Sequence, residues 1–96
     1  MSLTGAFLRD DEKSWVSSNL FFMCINRLDL NDKVYHIPPG VVVNNEDASY
    51  YVSCVIAELN KLTNVPEEQK QDYEYVKYVS TVLNSWVGSG HGIKII

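Results

Sequence analysis

Between Ala48 and Ala57 the chain carries no charge, yet its apolar residues recur at helical spacing. Ala48, Tyr51, Val52, Val55, Ile56, Leu59 and Leu62 recur at spacings of three and four, the period of one α-helical face. The opposite side, where a surface helix normally presents Lys and Glu, carries Tyr50, Ser53 and Ala57 instead. A helix that is apolar or small all round needs cover on more than one side. Either the rest of the chain wraps this helix, which spans about 45–62, or a second chain does. Its start is well marked. Asn44 is placed to accept from a backbone N–H near Asp47, and Glu46 and Asp47 suit the positive end of the helix dipole.

A third helix follows at about 65–87. Asn64 and Glu67 have capping-box spacing, and Pro66 is tolerated in a first turn. Tyr75, Val76, Val79, Val82, Leu83 and Trp86 form its buried stripe, while Lys70, Glu74, Lys77 and Thr81 face outward. The short connection makes the second and third helices antiparallel neighbours in an αα-hairpin. Gly88 suits the left-handed position that ends the third helix.

The first helix is expected at about 11–28. Asp10, Asp11 and Glu12 place acids where a helix start favours them. Leu20, Phe21, Cys24, Ile25 and Leu28 share one face. The run 20–25 also reads as a buried strand, because six apolar and aromatic residues bounded by polar ones fit either state. Residues 34–43 break helical periodicity. Pro39 and Gly40 suit the central positions of a type II turn, and Val41, Val42 and Val43 are extended by preference. Residues 1–9 are expected to be an N-terminal arm, and 88–96 an apolar C-terminal tail able to add a terminal strand.

One domain over 1–96 follows from the length. The expected class is mainly α, three helices with an αα-hairpin and a small β element. The alternative is α+β, an antiparallel sheet including 20–25 with two helices packed on it.

Composition removes several functions. Twelve acidic and eight basic side chains leave a net charge of −4, and the Lys and Arg are scattered. Nucleic-acid binding relies on clustered cations, so no nucleic-acid partner is expected. No membrane partner is expected either. The longest charge-free run, 78–93, is interrupted by Ser, Asn, Gly and His, whereas a span needs about 20 predominantly apolar residues. Cys24 and Cys54 read as reduced thiols inside apolar stretches, and residues 1–13 lack the pattern of a signal peptide. A cytoplasmic location is the expectation.

The chemistry is sparse. The glycine-rich loop 88–92 follows a helix rather than leading into one, so its nearest dipole end is negative and repels phosphate. His36 and His91 are the only histidines, and neither has a second ligand at metal-site spacing. No metal and no cofactor are expected. Glu67 and Glu68, like the other acidic pairs, sit at expected helix starts. The tyrosines are the functional lead, since Tyr is large, stiff and amphipathic and favours interfaces. Tyr51 and Tyr75 belong to core stripes. Tyr50, Tyr73 and Tyr78, together with Ser53 and Ala57, are the candidate contact residues. These features point to a non-enzymatic interaction module with a protein partner or a second copy of itself, regulatory, inhibitory or homo-oligomeric. The alternative is a ligand-binding or enzymatic domain with a pocket near the 36–40 loop and the second helix, drawing on His36, Cys54, Glu58 and His91.

Overall fold

The computed structural model describes residues 5–35 and 37–96. Three helices lie on one face of a four-stranded antiparallel sheet. The strands are β1 (Ala6–Arg9), β2 (Trp15–Ser17), β3 (Val42–Val43) and β4 (Ile93–Ile95), ordered β2-β1-β4-β3. The helices are α1 (Ser18–Arg27), α2 (Asn45–Asn60) and α3 (Lys70–Gly88), with a 3₁₀ turn at Glu67–Gln69 before α3. The architecture is the α+β alternative in outline, with three helices rather than two.

The two ends of the chain form the centre of the sheet. Phe7 lies opposite Val16 on one side and Ile95 on the other, so the segments read as arm and tail are its inner strands. Both are buried: Ala6, Phe7, Leu8, Ile93 and Ile95 are core residues. The acids Asp10, Asp11 and Glu12 do not start a helix. They form the turn between β1 and β2, with Glu12 at φ 62°. Helix α1 begins later, where Ser17 accepts from the Leu20 backbone N–H at 3.2 Å. Residues 20–25 lie within α1, so the strand alternative fails there. Phe21, Cys24 and Ile25 face the core, while Leu20 faces out.

The loop after α1 makes the turn expected at Pro39 and Gly40. Gly40 has φ 85° and the Val41 N–H donates to Pro38 O, a type II geometry that glycine adopts without steric cost. Residues 34 and 35 are not a strand; the β element here is β3, paired with β4.

Helix α2 starts as expected, the Asp47 N–H donating to Asn44 Oδ1 at 2.9 Å. The start of the third helix differs. Asn64 takes positive φ, 54°, and makes no cap. Pro66 precedes the 3₁₀ turn and α3 proper starts at Lys70. The end of α3 also shifts. Gly88 is its last residue, and Gly90, at φ 90°, takes the left-handed position. The Gly90 and His91 N–H groups donate to Val87 O and Trp86 O, the paired bonds of a Schellman motif.

Helix α3 packs between α1 and α2. It runs antiparallel to α2, since the Asn45 side chain at the start of α2 donates to Val87 O at the end of α3. Phe7 ties the sheet to this layer. Its ring meets Phe21 and Phe22 of α1 edge-on at 5.2 and 5.6 Å and Tyr51 of α2 at 6.5 Å. Tyr51 is fully buried, and its hydroxyl has no hydrogen-bond partner among the described residues. Burial raises its pKa above the ordinary tyrosine value. On the other sheet face Trp15 and Val42 are exposed at the two edges, while Ala6 and Leu8 on the inner strand β1 are buried. Among the described residues no helix is long and apolar enough to cross a membrane.

Candidate functional site

Helix α2 has two sides that differ in cover. Ala48, Tyr51, Val52, Val55 and Leu59 are buried against the sheet and α3. Tyr50, Ser53 and Ala57 are exposed, so the described chain leaves the outer side of α2 bare. Tyr50 is the clearest case at 65% exposure. At about 100° per residue, Glu46, Tyr50, Ser53, Ala57 and Lys61 fall within an arc of about 80°. Each of them is exposed. This stripe runs the length of the 16-residue helix, about 24 Å at 1.5 Å per residue.

Three members of this face are not evident as contact residues in the sequence. Glu46 reads as dipole compensation and Lys61 as one of the scattered cations, yet helical period alone places both on the Tyr50 stripe. Tyr35 is the third. Its ring stacks on Tyr50 with centroids 6.0 Å apart and its hydroxyl donates to Asp47 O at 3.3 Å. Nothing in the sequence signals that contact, because it joins a loop to a helix. Tyr35 is itself 43% exposed, so the stack widens the surface beyond one helix.

The other two candidates separate from this stripe. Tyr73 is half-buried in the groove between α2 and α3, a hollow of about 160 Å³ that Ile56, Leu59, Asn60 and Lys77 also line. Tyr78 lies on the α1 side of α3, against Tyr75, with ring centroids 6.2 Å apart. Five residues apart on α3, and so about 140° apart in direction, Tyr73 and Tyr78 do not share a face with each other, and neither lies on the α2 stripe of Tyr50.

The residues weighed for chemistry are dispersed or engaged. His36 lies outside the described residues. Glu58 accepts from Lys61 Nζ at 3.0 Å. Cys54 is half-buried and free. Cys24, also free, is buried on α1 beside Asp72, and its thiol is pushed up to about 11 by burial and then by that carboxylate. A thiol held protonated in this way is a poor nucleophile. The groove beside the 37–39 loop, about 500 Å³, is formed with α1 and β4 rather than with α2. Its walls are mainly apolar: Phe22, Ile37, Pro39, Ile95 and Ile96.

His91 stands at the far end of the sheet. Its Nδ1 is 2.7 Å from Asp10 Oδ1, and the Gly92 N–H donates to Asp10 Oδ2 at 2.7 Å. Those two contacts hold Asp10 below the usual carboxylate range, the Gly92 N–H contributing most. Asp11 completes the group. The Arg9 guanidinium at 2.8 Å and the Lys13 N–H engage its carboxylate, which falls to about 2. Asp10, Asp11 and His91 bring their ligand atoms within 4.8 Å of one another, a grouping absent from the sequence reading. Its carboxylates are bonded to neighbouring cations and backbone N–H groups, and it fastens the β1–β2 turn to the start of β4.

No protein family, curated protein or solved structure matches this chain.

Proposed function

We propose that this chain is a non-enzymatic protein-interaction module that acts as a subunit of a homo-oligomer through the outer face of α2. The observation that carries the reading is the bare stripe on α2, uncharged between Ala48 and Ala57, with Tyr50 65% exposed and stacked on Tyr35. Aromatic anchors beside small residues are the composition of a contact surface, because the ring buries area at low entropic cost and the small residues admit a close neighbour.

Light scattering on the purified chain tests the reading. A mass above 10.9 kDa that falls to the monomer value in Ala57→Glu, with the helical circular-dichroism signal unchanged, is the expected result. A chain that stays monomeric at every accessible concentration ends the reading.

A further inference from the structure

The exposed stripe of α2 is complementary to itself when turned end over end. Its midpoint falls between Ser53 and Cys54. Tyr50 lies as far before that point as Ala57 lies after it, and Glu46 as far before it as Lys61 after it. A two-fold axis through the midpoint therefore sets a large ring on a small residue and an acid on a base, twice in each case. We propose that two copies of this chain pair through α2 in an antiparallel, isologous dimer with this register, a proposal that rests on the homo-oligomer reading above.

In that arrangement Tyr50 of each copy packs over Ala57 of the other, and Ser53 lies at the crossing. Small residues there let two helices approach to about 8 Å, the near end of the usual packing range. Glu46 of one copy meets Lys61 of the other. Lys61 can reach it: its side chain is 71% exposed although its Nζ also contacts the mostly buried Glu58 carboxylate at 3.0 Å, so the ammonium bridges the two acids. Charge complementarity also sets direction. A parallel pairing sets Glu46 against Glu46 and Lys61 against Lys61, which like-charge repulsion disfavours. One helix face with its flanking Tyr35 is a small interface, below the roughly 1,200 Å² of stable complexes, so the dimer is a concentration-dependent one.

Charge reversal tests the register by sedimentation velocity over about 10 µM to 1 mM, a range suited to a small interface. Glu46→Lys alone and Lys61→Glu alone each weaken association by about tenfold or more, because two attractive pairs become repulsive. The double variant Glu46→Lys/Lys61→Glu returns to within about threefold of the unaltered chain. An equimolar mixture of the two single variants associates more tightly than either does alone, since each supplies the charge the other lacks. All these positions are exposed, and circular dichroism on each variant verifies the fold. If Ala57→Glu abolishes the dimer while the reversals have no effect, or the double variant fails to recover, α2 pairs in another register and this proposal is overturned, with the homo-oligomer reading intact. A chain monomeric throughout overturns both.

Discussion

Ala48 and Ala57 are the same residue on the same helix, nine positions and about half a turn apart in direction, and they occupy opposite environments. Ala48 is fully buried, while Ala57 is exposed. The periodic pattern of α2 located the inner side, because a core demands apolar residues at a fixed spacing. It did not say what the outer side meets, because an absence of charge is compatible with a second layer of the same chain or with another molecule. Substituting the same residue at both sites breaks the comparison directly. Ala48→Glu buries an unpaired carboxylate, which costs more than about 4 kcal/mol and consumes most of a small domain's stability. Far-UV circular dichroism and urea titration are expected to show an unfolded chain. Ala57→Glu is expected to leave the urea midpoint within about 0.5 kcal/mol of its former stability and to act on association alone. Equal effects at the two positions would mean that the two sides of α2 are not distinct.

The inner side of α2 depends on Phe7, whose ring sits against Tyr51 and against α1. Phe7→Ala is expected to cost about 3–5 kcal/mol, the range for deleting a buried aromatic ring, read from the urea midpoint. A cost under about 0.5 kcal/mol, proper to a surface arm, would put the sheet centre elsewhere. In sequence Phe7 reads as part of an arm for a physical reason. Four residues of β1 cannot display a period, and Ala6, Phe7 and Leu8 are buried in succession, so no alternation exists to detect. Pairing partners are no help either, since Phe7 pairs with Ile95 at the other end of the chain. The inner stripes of α2 and α3 were legible because helical contacts are local and repeat within each segment. The candidate face was legible to the same extent, Tyr50, Ser53 and Ala57 through the period of α2, whereas the stacking of Tyr35 depends on a loop path that no local pattern encodes.

Two asparagines show how far capping chemistry can be read. Asn44 and Asn64 both precede expected helices with an acid three residues on. Asn44 caps α2 and Asn64 occupies a left-handed turn. The difference lies in Pro66, which sits inside the span a cap at Asn64 would organise. Proline restricts the residue before it to extended backbone, so the helix starts later, through a 3₁₀ turn. Asn44→Ala is expected to lower stability by about 1 kcal/mol through a lost cap. Asn64→Ala is expected to cost less, since its penalty is confined to holding a left-handed backbone without asparagine. Thermal melts of the two variants separate these cases. An Asn64→Ala effect larger than that of Asn44→Ala would reverse the assignment and move the start of the third helix back to Asn64.

The smallest expected effect concerns the sheet on which the inner side of α2 rests. Asp10 accepts from the Gly92 N–H and His91 Nδ1 and so pins β4 beside β1. Those contacts hold its pKa below the ordinary 3.8 in the folded chain. A carboxyl group whose folded pKa is depressed binds protons more readily when unfolded, so its stabilisation is complete above the unfolded value and is lost as pH falls through the folded one. Asp11, lowered to about 2, acts in the same direction over an overlapping window. Asp10→Asn removes the charge and weakens both contacts. Its melting temperature is expected to lie below that of the unaltered chain at pH 7 and to converge on it as pH falls below the ordinary carboxylate range and the native Asp10 takes up its proton. Because the group is exposed, the gap at pH 7 is expected to be the smallest of those described. A gap that persists unchanged through that acid range would mean that the side chain's shape, rather than its charge, adds to the backbone pairing that secures β4 beside β1.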